Sequence, residues 1–176
     1  MTSISIPHNS AYALWTGLEA EFERYHAAIS YIPIEKARLQ EDLRRYLCLR
    51  CAGFLEKITF DSIHRFLESG VGGPVLEFSK SMFYKSPNLT PATFRALMAR
   101  FGEDQAMKFD IFLSPQLRES LTDLSSIRNT IAHGETQGGQ KLNPDRYRIL
   151  CHAVYVWLGT EFLQPIGSNS FLTDVT

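Results

Sequence analysis

The chain has 176 residues, 44% of them apolar and 21% charged, with eighteen Lys and Arg against nineteen Asp and Glu. This is the profile of one globular domain with a sizeable core, and a net charge of −1 excludes a global positive field that would hold polyanions non-specifically. The opening MTSISIPHNSAYALW has neither the basic region nor the long apolar run of a signal peptide, and no apolar stretch approaches the ~20 residues of a membrane span. Cys48, Cys51 and Cys151 make an odd count without framework spacing, so a soluble cytoplasmic protein in a reducing compartment is expected.

The punctuation is that of helices. Thr90-Pro91, Ser114-Pro115 and Asn143-Pro144 each place a capping residue before a proline suited to a first helical turn. Between these marks apolar residues recur at three- and four-residue steps, as in Leu39, Leu43, Leu47, Phe54 and Ile58, and in Leu117, Leu121, Leu124 and Ile131. In chain order the pattern predicts helices near 10–30, 35–69, 74–85, 91–101, 115–133 and 144–164, an all-α bundle of about six helices. Whether the long stretch 35–69 is continuous or broken is open. Gly70, Gly72, Gly73 and Pro74 turn the chain after it, and Thr136–Gln140 is a short polar connector that makes the last two helices antiparallel. The domain is expected over 1–165, followed by a polar tail over 166–176 without helical repeat. Phe78, Phe83, Tyr84, Tyr155 and Trp157 recur at helical spacing and are expected in the core. Cys48 and Cys51 have apolar neighbours and no second Cys-x-x-Cys accompanies them, so they and Cys151 read as small buried hydrophobes, and no metal or cofactor is expected.

The helix that begins at Ser114-Pro115 is placed to end at Gly134, since glycine takes the left-handed conformation past a helix end at little steric cost. His133 then stands at the C-terminal end, where unpaired carbonyls favour positive charge, and histidine is the side chain that changes protonation nearest neutrality. At roughly 100° per residue, Leu117, Leu121, Leu124, Ile127 and Ile131 form one stripe, with Arg128 on its edge. A charge withdrawn from water needs a partner. Glu56, inside the otherwise apolar CLRCAGFLEKI, is the candidate. Asn129 and His133, four apart, share a face, whereas Arg128 and His133, five apart, diverge by roughly 140° on an ideal helix. A common site for these two requires a distorted last turn, the reach of the arginine, or a second copy of the helix.

The sequence Arg128-Asn129-Thr130-Ile131-Ala132-His133-Gly134 late in an all-helical chain resembles the signature of the HEPN superfamily, an arginine followed four to six residues on by a histidine. CLRCAGFLEKITFDSIHRFL and SSIRNTIAHGE resemble the early helix and the signature of its RiboL-PSP and MAE-type branches, so that the resemblance covers roughly 40–160. It implies metal-independent RNA cleavage by a homodimer whose signature helices face one another. One branch carries His-x-Tyr; Glu135 stands in place of that tyrosine here.

The residue types suit such chemistry. His133 can take a proton from a ribose 2′-hydroxyl, Arg128 can neutralise charge growing on the phosphoryl oxygens, and Asn129 can orient His133 or bond a phosphate oxygen. Arg44, Arg45 and Arg50 lie in one helix with Glu41 and Asp42 and read chiefly as a solvated face. Arg50, with Arg146 and Arg148 at the start of the last helix, is a candidate for RNA backbone contact. The expectation is an endoribonuclease acting on single-stranded or looped RNA, as a toxin with an antitoxin or other operon partner or as a defence effector. A non-catalytic HEPN-like module that binds a nucleotide, RNA or a protein is the alternative.

Overall fold

The computed structural model describes residues 9–82, 89–133 and 142–164. Among these residues every regular element is helical: α1 (Asn9–Ile29), a 3₁₀ turn (Ile34–Lys36), α2 (Ala37–Gly70), α3 (Gly73–Ser81), α4 (Pro91–Ala99), α5 (Glu103–Phe112), α6 (Pro115–Ala132), α7 (Pro144–Leu158) and a π-helical turn (Gly159–Leu163). No helix among them is long and apolar enough to cross a membrane. The expected connector over 136–140 and the tail over 166–176 lie outside the described residues, as do Phe83, Tyr84, Gly134 and Glu135.

The proline-marked starts differ in detail. Thr90 caps α4 through a reciprocal pair with Thr93, whose backbone N–H donates to Thr90 Oγ1 while Thr93 Oγ1 accepts from the Thr90 N–H. Ser114 Oγ accepts from the Leu117 N–H at 3.3 Å and opens α6. Asn143 makes no side-chain cap at α7, so there the proline acts by its fixed φ.

α2 is the post of the bundle and is unbroken over its 34 residues. Its buried positions include Leu47, Cys48, Cys51, Ala52, Phe54, Leu55, Ile58 and Ile63, more than one stripe, because neighbours cover it on several sides. α1 runs antiparallel to it: Ser10 donates to Asp61 at 2.7 Å, and Arg50 grips Glu21 with two bonds of 2.7 Å. α7 runs parallel to it, with the Cys151 thiol meeting the Cys51 carbonyl at 3.6 Å and Phe162 meeting Phe66 at 5.4 Å. α6 is antiparallel to α7, as expected: Arg146 near the start of α7 reaches Asp123, while Trp157 near its end stacks on Phe112 just before α6. Trp157 also meets Phe94, Phe109 and Phe162 with centroids 5.5–6.3 Å away, which ties the α4–α5 hairpin to the bundle.

Three expectations are corrected. α5 was not foreseen; it starts at Gly102, whose φ of +111° suits glycine, and buries Ala106 and Phe109. The last helix is α-helical only to Leu158, after which the π turn widens the backbone and lets the consecutive Phe162 and Leu163 both be buried. In α3 Phe78, expected in the core, is 65% exposed, together with Val75 and Met82 on its outer side, while the expected helix end near 85 lies outside the described residues. Helical spacing says which residues share a face, not whether that face is covered.

Two features have measurable consequences. Gly53 sits exposed in the interior of α2, with nothing within 4 Å of where a Cβ would be, so Gly53→Ala is expected to raise stability by about 0.5–1 kcal/mol. A lower urea midpoint would contradict this. All three thiols are fully buried, and burial pushes Cys48 up to about 12 and Cys151 well above its ordinary value. Because all three thiols are buried, the native protein is expected to resist thiol reagents, with all three cysteines reacting only in denaturant. Rapid labelling of any of them in buffer would count against this packing.

Candidate functional site

α6 carries its buried stripe as Leu121, Leu124 and Ile127, with Ser120 and Ser125 also buried. Arg128, next in sequence to Ile127, leaves the edge of that stripe and faces α2. Its Nη2 lies 3.4 Å from Glu56 Oε1, the carboxylate expected from the sequence, and Nη1 lies 3.4 Å from Asn129 Oδ1. Both distances are long for charge-assisted bonds, which favour about 2.7–2.9 Å. The Arg128 side chain is 37% exposed and Glu56 20%, so the guanidinium is loosely held and open to water.

Glu56 is placed by Leu55 and Ala52 on one side and by Leu121, Leu124, Ser125 and Leu89 on the other, around a cavity of about 10 Å³, room for no more than one water molecule. These apolar walls push the Glu56 carboxyl above its ordinary 4.5, and the Arg128 charge draws it partly back.

His133 closes α6: its backbone N–H donates to the Asn129 carbonyl at 3.0 Å, and its φ and ψ of −88° and 4° leave the helix there. Its imidazole is exposed. The structure thus brings Arg128, Asn129 and Glu56 together by side chain and joins His133 to them through the backbone of the last turn.

The three arginines expected at an RNA backbone are each committed to carboxylates. Arg50 forks onto Glu21 of α1. Arg146 bonds Ser120 Oγ at 2.8 Å, Asp123 at 2.9 Å and Glu119 at 3.0 Å, all on α6. Arg148 forks onto Glu19. These partners lie on other helices and are not among the sequence expectations. For Arg146 a signal existed: Glu119 and Asp123 are four apart and offer one acidic face. Among the described residues no group of three or more His, Cys, Asp or Glu is arranged to hold a metal ion.

Compared with family models, with curated proteins and with solved structures, the chain gives no match. The site is therefore read from its own residues.

Arg128 is the counter-charge that permits Glu56 to ionise where it stands. Because burial raises the folded-state value of Glu56, the fold favours its protonated form, and ionisation works against stability as pH rises above 4.5. Arg128→Ala should steepen that loss, the variant falling further behind the wild type between acidic and neutral pH. Adding Glu56→Gln should flatten it. Urea melts of the single and double variants at several pH values decide the matter; parallel pH profiles for wild type and Arg128→Ala would show that the pair is not coupled.

Proposed function

We propose that this chain is a metal-independent endoribonuclease of the HEPN type, cleaving single-stranded or looped RNA by attack of the ribose 2′-hydroxyl on the adjacent phosphorus. The observation that carries the proposal is the end of α6, where RNTIAHG sets a loosely paired, water-accessible guanidinium on Arg128 and, one turn later, an exposed imidazole on His133. In this reading His133 accepts the 2′-hydroxyl proton, and the new bond to phosphorus expels the 5′-oxygen. Arg128 leaves its long contacts with Glu56 and Asn129 for the phosphoryl oxygens, where charge accumulates. Glu56 acts as the resting counter-ion that holds the guanidinium beside the end of α6, and Asn129 bonds the phosphate or the guanidinium.

An ideal helix separates Arg128 and His133 by roughly 140°. A homodimer resolves this, since a two-fold axis through the ends of two α6 helices sets the arginine of one copy beside the histidine of the other. Phosphate contact by Arg50, Arg146 or Arg148 would draw on the N–H groups their carboxylates leave over. A toxin with an antitoxin partner, or a defence effector, is the cellular role this chemistry fits. The partial exposure of Arg128 and the exposure of His133 also fit a second reading, a HEPN-like module in which the same guanidinium binds a nucleotide, RNA or a protein without cutting.

Purified protein incubated with total RNA in chelator tests the choice. The expected products end in 2′,3′-cyclic phosphate. His133→Ala should lower the rate by about 10²–10⁴-fold and Arg128→Ala by a similar factor, with Asn129→Ala milder and folding of each checked by melting. Cleavage undiminished in folded His133→Ala, or abolished by the chelator, would overturn the mechanism. Tight RNA binding without cleavage would establish the second reading.

A further inference from the structure

The seam between α1 and α7 opens into a groove of about 470 Å³ lined by Trp15, Glu19, Asp145, Arg148, Ile149 and His152. This volume lies within the range of small-molecule sites, about 300–1,000 Å³, and none of the six residues belongs to the Arg128 site. One wall is aromatic. The Trp15 indole stacks on Tyr155 at 5.7 Å and 12°, meets Phe54 edge-on at 6.0 Å, and has the His152 imidazole 5.0 Å away. Ile149, 67% exposed, adds an apolar rim.

Arg148 supplies the donors. Its Nε and Nη2 are held by Glu19, and its guanidinium lies 5.8 Å from the centre of the Phe22 ring, so its direction is set before any ligand arrives. Its Nη1 donates to no group among the described residues. Asp145, three residues earlier on α7, spends Oδ1 on His26 at 3.1 Å and is half exposed. Residues three apart share a helix face, and the Asp145 charge is near enough to contribute to the raised pKa of Arg148.

The groove therefore offers a fixed donor, Arg148 Nη1, and an open acceptor, Asp145, within one turn, beside an apolar wall. A simple anion placed on Arg148 would meet the Asp145 carboxylate, and a simple cation placed on Asp145 would meet the guanidinium. An uncharged apolar molecule would leave both groups without partners and desolvated at their expense. A compact zwitterion with an apolar arm satisfies all three features at once.

We propose that the α1–α7 groove binds a free α-amino acid with a large apolar side chain, its carboxylate accepting from Arg148 Nη1, its ammonium donating to Asp145, and its side chain lying against Trp15 and Ile149. The proposal is independent of RNA cleavage: Arg128, Glu56, Asn129 and His133 take no part in it, and Arg148 is the one residue it shares with the candidates for phosphate contact.

Calorimetric titration of the full chain with L-phenylalanine, L-leucine and L-tryptophan tests it, with 3-phenylpropionate, phenethylamine and glycine as ligands that each lack one feature. At least one of the three amino acids is expected to bind, and each deficient analogue to bind about tenfold or more weakly, since a lost charge-assisted bond, or for glycine the lost burial of a large apolar side chain, is worth about that factor. Asp145→Asn, a surface change whose fold is checked by circular dichroism, should weaken the amino acid by a similar factor while leaving 3-phenylpropionate no weaker. Binding of 3-phenylpropionate or phenethylamine as tight as that of phenylalanine would overturn the proposal, as would equal amino-acid binding by Asp145→Asn. The absence of heat and of any melting shift with all three amino acids at millimolar concentration would overturn it too.

Discussion

The structure depends on the lateral burial of one long helix. α2 buries Leu47, Cys48 and Cys51 together with Ala52, Phe54, Leu55, Ile58 and Ile63, which at roughly 100° per residue cover an arc of roughly 180°, wider than a single neighbouring helix can cover. α1, α6 and α7 each cover a part, and the π turn after α7 closes the far end with Phe162 between Phe66 and Phe101. A helix covered on several sides has few places for a charge. Glu56 occupies one of them, at the joint where α6 meets α2, and its ionisation is tolerated because α6 brings Arg128 to it. The geometry of the candidate site is thus a by-product of how the core is closed.

Ion pairs do much of the work of fixing α1 and α7 in place. Glu21 is gripped by Arg50, Glu19 by Arg148, and Asp145 by His26, while α1 itself buries few large side chains, Leu18 and Phe22 among them. Exposed pairs of this kind contribute little each, but forked arginines set direction as well as charge. They position α1 along α7 and so shape the groove between the two.

Much of this was legible in the sequence where a local rule applied. The proline-marked starts of α4, α6 and α7 follow from one residue's fixed φ, and the pairing of Arg128 with Glu56 follows from a charge on the edge of an apolar stripe opposite the lone acid of an apolar run. α5 escaped because its start carries neither proline nor a side-chain cap, although Glu103 and Asp104 in its first turn, with Ala106, Phe109 and Leu113 behind them, were a usable signal. The exposure of Phe78 and the commitments of Arg50 and Arg148 were illegible for a deeper reason. Each is decided by which other helix lies alongside, and spacing within one helix carries no such information.

The parallel neighbours α2 and α7 meet through Cys51 and Cys151, 100 residues apart in the chain. On a ribosome adding about 5–20 residues per second, the second of these positions follows the first by about 5–20 s. For that interval the nascent chain displays the uncovered apolar sides of a 34-residue helix that no earlier segment can fully shield. Synthesis of this protein therefore passes through an adhesive half-built stage, and the docking of α7 is the latch that ends it.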